Sequence, residues 1–220
     1  MTPPTIRASM VITTRISTIV KADILFFILI LYTIAAKMLM LEVCATVAIM
    51  DIGKQMIRSS MRNILKLMSD VEIQSASNDI RLSIFRYFDT MLRPNIKIHI
   101  YRTSSSWIEV DTSGIIETLH ERSIEPIDID VPEVASDAPI PTRQYNVIFV
   151  PCLGFDEELN RLGRGSGWYD KFLGTQRHTI KIGVAFEATK CRLIPYEEHD
   201  IKLDFIVTES NIYTSQGNSA

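Results

Sequence analysis

Val147-Ile148-Phe149-Val150-Pro151-Cys152-Leu153-Gly154-Phe155-Asp156, then Asn160-Arg161-Leu162-Gly163-Arg164-Gly165-Ser166-Gly167-Trp168-Tyr169-Asp170, reads as a short apolar strand that feeds a glycine loop. Glycines alternate at 163, 165 and 167, with arginines at 161 and 164. Such a loop can take φ > 0 and bring its backbone close to a ligand. Its successive N–H groups can converge on an anion, and guanidinium groups add charge-assisted bonds to phosphate. Asp170, just beyond, suits the Mg²⁺ that accompanies a nucleoside triphosphate. The stretch reads as a phosphate cradle. On spacing alone a plain solvated turn stays open, because the common phosphate patterns do not fit. No window supplies Gly-x-x-x-x-Gly-Lys-Ser/Thr, and the third glycine of Gly-x-Gly-x-x-Gly would fall on Trp168.

Outward from this stretch the periodicity alternates between helix and strand. Ile57, Met61, Ile64, Leu65 and Met68 recur at helical spacing after Lys54. Ser69 and Glu72 form a capping box for a second helix carrying Ile80, Ile84, Phe85, Phe88, Met91 and Leu92, closed by Pro94. Residues 95–101 alternate like a strand, and residues 113–122 follow a third helical pattern. Residues 123–145 hold Pro126, Pro132, Pro139 and Pro141 among Asp128, Asp130, Glu133 and Asp137, which predicts an acidic extended connection. Residues 180–186 and 205–208 read as two more strands. Strands alternating with helices predict an α/β fold of three layers, α/β/α, around a mainly parallel or mixed central sheet.

The 220 residues suit one domain with a substantial core. A net charge of −3 makes no electrostatic case for nucleic acid. The cysteines at 44, 152 and 191 show no Cys-x-x-Cys spacing and read as buried reduced thiols. His99, His120, His178 and His199 lack metal-ligand spacing. Residues 1–22 are basic and rich in Ser and Thr, like a transit peptide, and residues 24–36 are almost wholly apolar. That run is shorter than the about twenty residues of a membrane span, although extending it to Leu41 gives a marginal one. A targeting segment, a weak anchor and a mis-assigned start all remain open for residues 1–51. Membrane contact, if any, is confined to residues 24–41. The default compartment is the cytoplasm, with mitochondrial or membrane-associated placement as alternatives.

Four separated blocks resemble the 5-formyltetrahydrofolate cyclo-ligase family (methenyltetrahydrofolate synthetases). They are Lys54-Gln55-Met56-Ile57-Arg58 with Arg62; the stretch quoted first; Ile182-Gly183-Val184-Ala185-Phe186-Glu187; and Glu198-His199-Asp200-Ile201-Lys202-Leu203-Asp204 with Val207-Thr208-Glu209. The resemblance covers roughly residues 52–213, leaving 214–220 as a tail. It implies a monomeric enzyme that uses ATP and Mg²⁺ on 5-formyltetrahydrofolate. By the same resemblance, Lys54 and Arg164 are the catalytic candidates. Lys54, Arg58, Arg161, Leu162, Gly163, Arg164, Gly165, Ser166, Gly167, Trp168 and Tyr169 would hold ATP. Glu109, Arg58 and Tyr169 would meet the folate, and Asp170 and Asp200 the metal. For Trp168 and Tyr169, substrate stacking and core packing stay equally open. Ser166 stands where many members carry lysine, and Cys152 replaces a usual glycine.

Against the family pattern a block of a few dozen residues is missing between Arg122 and Ser123, where sheet strands and part of the folate wall would lie. Two rival readings follow: a nucleotide-binding relative that has lost catalysis and serves as an interaction protein, and a membrane-tethered protein.

Overall fold

In the computed structural model, residues 37, 38, 53–104, 106–124, 127–130, 139–215 and 217–219 are described. The apolar N-terminal run lies outside them apart from Lys37 and Met38. Among the described residues no helix is long and apolar enough to cross a membrane. The chain divides at Ile52/Gly53, and the second unit carries the fold described below.

Helix α1 covers residues 53–65. Helix α2, Asp70–Tyr87, starts where the capping box predicts. The Glu72 N–H donates to Ser69 Oγ at 3.3 Å, and the Ser69 N–H donates to Glu72 Oε2 at 2.8 Å. Strand β1, Ile98–Tyr101, leads through a loop to α3, Ser113–Glu121. Beyond α3 come β2, Ile127–Asp130, and β3, Val147–Pro151. A two-stranded ribbon follows, β4, Gly154–Phe155, against β5, Arg161–Leu162. Then come α4, Trp168–Gly174, and β6, Ile180–Val184. Strands β7, Phe205–Val207, β8, Ile212–Thr214, and β9, Gly217–Ser219, complete the order.

The main sheet has the order β2-β1-β3-β6-β7-β8-β9. From β2 to β7 every pairing is parallel, and β8 and β9 add antiparallel pairs. Side chains alternate across the sheet, as a pleated strand requires. Val147 and Phe149 of β3 join a core with Ile80, Ile84, Ile115 and Leu119 of α2 and α3. Ile148 and Val150, from the same strand, face Trp168, Phe172 and Leu173 of α4. The three layers are therefore α2/α3, sheet, and α4. Phe172 is fully buried in the second core. Phe172→Ala is expected to cost about 3–5 kcal/mol, read as a lowered denaturant midpoint with an unchanged slope.

Helix α2 ends at Tyr87, short of Met91, Leu92 and Pro94, and β1 starts at Ile98 instead of residue 95; two further elements differ from the expectation. Residues 127–130 were expected to be part of an extended connection, but they form β2 and pair with β1 in the register Ile98↔Ile127. The open hydrogen-bonding edge of β1 decides this, which local composition does not register. The turn into it lies at the predicted join: Ser123 takes φ 55, its N–H donates to His120 O at 2.9 Å, and buried Ile124 donates to Leu119 O at 3.0 Å. The strand expected over 180–186 ends at Val184, and a 3₁₀ turn at Glu187–Thr189 follows.

This topology places the site. From β1 the chain moves outward to β2, then returns to the other side of β1 for β3. In open parallel sheets, ligands gather beyond the carboxyl ends of the strands at such a reversal. The loop leaving β1 carries Glu109, and the β4–β5 ribbon that follows β3 leads into the three glycines.

Candidate active site

The glycine loop leaves β5 and closes on α4. Gly165 has φ 110 and Gly167 φ 67, conformations that side chains other than glycine rarely adopt. A Cβ on Gly163 would lie 2.6 Å from Arg161 Nη1, so the loop wraps tightly around that guanidinium. Ser166 Oγ accepts from the Trp168 N–H at 3.3 Å, a local turn that starts the helix. Leu162 turns inward with Met61 and Cys191 and ties the ribbon to α1.

Asp156, 1% exposed, organises the approach to this loop. Its Oδ1 accepts from the N–H groups of Glu158 and Asn160, each at 3.0 Å. Its Oδ2 accepts from Asn160 Nδ2 at 3.0 Å and from the Ile194 N–H at 2.9 Å. The last bond fastens the segment that leads to Asp200. Asp156 lay within the quoted motif, but its role as a knot could not be read from spacing.

Four cations converge on these loops. Lys54 and Arg58 lie one turn apart on α1 and share a side of the helix. Arg58 Nε donates to Gly163 O at 3.1 Å. Lys54, 7% exposed, bonds Glu197 Oε1 at 2.6 Å and Asp200 Oδ2 at 2.7 Å. Burial is the largest single influence on its ammonium and pulls the pKa down. The bonds and charges of Asp200 and Glu197 together outweigh burial and raise it. Arg161, its side chain 5% exposed, bonds Asp170 Oδ2 at 2.9 Å and lies 5.5 Å over the Tyr169 ring. Its buried Nε has no hydrogen-bond acceptor. Arg164 bonds Glu109 Oε2, joining the loop after β5 to the loop after β1. Glu197 was not among the predicted residues; its only sequence signal was the acidic pair Glu197-Glu198 beside Asp200.

Trp168 and Tyr169 are 3% and 8% exposed and pack against Phe172 and His99. Of the two roles left open for them, the geometry supports packing, because α4 turns both rings toward the sheet. Tyr169, expected at the folate, also backs Arg161. Cys152 has a partly exposed residue surface, yet its sulfur sits in the wall. A Cβ on Gly183 would lie 3.0 Å from its Sγ. Burial pushes this thiol up to about 12, against smaller lowering by Arg161. At pH 8 the thiol stays protonated, so peptide mapping is expected to find Cys152 unlabelled by a thiol reagent until denaturant is added.

The donor set fits a nucleotide. Cationic side chains surround a glycine loop whose backbone a ligand can approach closely, and the Arg161 Nε lacks an acceptor that a phosphate oxygen would supply. Asp170 and Asp200 belong to two separate ion pairs. Among the described residues no group of three or more His, Cys, Asp or Glu could hold a metal. Mg²⁺ held through one or two carboxylates and phosphate oxygens, with water completing the shell, needs no such cage.

A model of the 5-formyltetrahydrofolate cyclo-ligase family matches residues 54–209. A 5-formyltetrahydrofolate cyclo-ligase of Mus musculus is 39% identical over 92 residues, 40% of this chain and 43% of that protein. One from Escherichia coli K12 is 36% identical over 76 residues, 34% of this chain and 42% of that protein. The matched stretches thus span less than half the length of these curated relatives. Among solved structures, the 5,10-methenyltetrahydrofolate synthetase of Mycoplasma pneumoniae superposes with a TM-score of 0.58 at 21% identity, covering 71% of this chain and 98% of that one. The Aquifex aeolicus 5,10-methenyltetrahydrofolate synthetase gives 0.60 at 20% identity, covering 76% and 95%. These two likenesses speak for the fold.

Proposed function

This chain belongs to the 5-formyltetrahydrofolate cyclo-ligase family, and on that premise we propose that it closes the ring of 5-formyltetrahydrofolate at the expense of ATP. The products are 5,10-methenyltetrahydrofolate, ADP and phosphate. ATP supplies the phosphoryl group that makes the formyl oxygen a leaving group, and Mg²⁺ neutralises phosphate charge. The formyl carbon gains a bond to N10, and its oxygen departs with the phosphate. No protein nucleophile is required, so the chain's task is positioning and charge stabilisation.

The observation that carries this reading is the Arg164–Glu109 bond across the sheet reversal. It puts a phosphate-loop cation against the acid proposed for the folate, so a phosphoryl group held by one lies beside a substrate held by the other. Glu109 would accept adjacent ring N–H groups of the pterin. Arg161, Arg164 and the N–H groups of residues 163–167 would hold the phosphates, and Arg58 would brace the loop through Gly163. Lys54 would turn from Glu197 and Asp200 toward the triphosphate, leaving Asp200, with Asp170, to face Mg²⁺.

Purified protein mixed with 5-formyltetrahydrofolate, ATP and Mg²⁺ should develop the near-ultraviolet absorbance of the product. Calorimetry with ATP and Mg²⁺ alone separates this reading from its main rival. Nucleotide binding without turnover would identify a relative that has lost catalysis. Ser166→Lys is expected to tighten ATP binding several-fold, because the position is exposed and gains a cation beside the loop. Unchanged affinity in that titration would show that residue 166 points away from the phosphates.

A further inference from the structure

We propose that Trp107 is the stacking residue that holds the substrate's flat ring against Glu109. The inference rests on the functional reading above and adds to it a residue that the family motifs do not contain. Trp107 is 41% exposed, whereas the chain's other tryptophan, Trp168, is 3% exposed. It stands in the loop leaving β1, beside the sheet reversal.

The loop presents this indole on a built support. At its base, Thr112 Oγ1 donates to Tyr101 O at 2.7 Å, Thr103 Oγ1 donates to Val110 O at 3.1 Å, and the Asp111 N–H donates to Ser77 Oγ at 3.0 Å. At its tip, Ser104 gathers three bonds. Its N–H donates to Glu109 Oε1 at 2.9 Å, its Oγ accepts from the Ser106 N–H at 3.2 Å, and its carbonyl accepts from the Trp107 N–H at 3.4 Å. The carboxylate proposed for the substrate therefore also shapes the turn that carries the tryptophan.

Two guanidinium groups flank the indole. Arg164 of the glycine loop lies 5.1 Å from the ring centroid and Arg62 of α1 lies 5.5 Å from it. Cation–π attraction to both guanidiniums holds the indole in this orientation. The Arg62 Nε is buried and has no hydrogen-bond acceptor. A buried donor in that state is costly, and a ligand acceptor would relieve it.

These groups specify a chemistry. Glu109 uses one lone pair of each oxygen on Ser104 and Arg164 and keeps others for two more donors. The ring it suits displays adjacent N–H donors on one edge, with a carbonyl oxygen next to them for Arg62. The 2-amino-4-oxo edge of a pterin has that pattern. Adenine has a single amino donor between ring acceptors and does not satisfy Glu109.

The test uses the full chain and its Trp107→Ala and Trp107→Phe variants. Titration with 5-formyltetrahydrofolate in the absence of ATP should quench the fluorescence of the unaltered protein, and Trp107→Ala should lose the quench. Trp107→Ala should also raise the folate Kd and KM about tenfold, with kcat and the ATP Kd unchanged. Trp107→Phe should restore most of the folate affinity. Equal folate affinity in Trp107→Ala would overturn the stacking role alone. Weakened ATP binding with intact folate binding would overturn it in favour of adenine as the occupant. Failure of the unaltered protein to bind folate would overturn the functional reading and this inference together.

Discussion

Valine at position 165 is expected to lower the affinity for ATP by roughly a hundredfold while leaving the domain folded. Gly165 sits at φ 110, where a β-branched residue is strained. The space is not the obstacle, since a Cβ there would meet Arg58 Cζ only at an ordinary 3.6 Å. The strain itself is on the order of 1–3 kcal/mol, the upper end of which is near a hundredfold in a binding constant. Residue 165 is exposed, so the loop can relieve that strain by moving, and the loss falls on the cradle instead of the core. Gly165→Ala should fall between the two. Calorimetry with ATP and Mg²⁺ reads the affinity, and a thermal melt confirms the fold. ATP affinity equal in the valine variant and the parent would rule the loop out as a phosphate site.

Lys54→Met is expected to abolish turnover and destabilise the domain by about 3–5 kcal/mol, because it strands carboxylates in a partly buried site. Glu197 and Asp200 both bond this ammonium, while Asp200 Oδ2 also accepts from the Glu197 N–H at 2.8 Å. The two effects separate in a second variant. Adding Glu197→Gln removes one stranded charge, so Lys54→Met/Glu197→Gln should recover part of the stability and none of the turnover. Recovery of turnover along with stability would show that Lys54 serves the fold and not the phosphates.

Legibility in the sequence followed the range of each interaction. Helix α2 was readable because its start is a local contract between Ser69 and Glu72, three residues apart. Strand β3 and the glycine loop were readable because an apolar run and alternating glycines carry their own signal. Strand β2 was not, since four residues among prolines and acids become a strand only by meeting the edge of β1. Several of the candidate residues come together in the folded chain, yet their partners were hidden. Nothing near Lys54 announces Glu197, and nothing near Arg164 announces Glu109. Trp107 drew no expectation from the sequence, because exposure and two flanking guanidiniums are properties of the folded chain.

The Lys54–Asp200 bond also bears on how the molecule assembles. Its partners are 146 positions apart, and those of the Arg164–Glu109 bond are 55 apart. Contacts of such long range form only after the intervening chain has been drawn in, at an entropic cost that grows with the loop closed. The candidate site therefore matures late, once the parallel strands are already aligned. A refolding experiment should see helical signal return before nucleotide binding does. On the proposed reading nucleotide engages only the finished arrangement, so its presence should retard unfolding and shield the chain from protease.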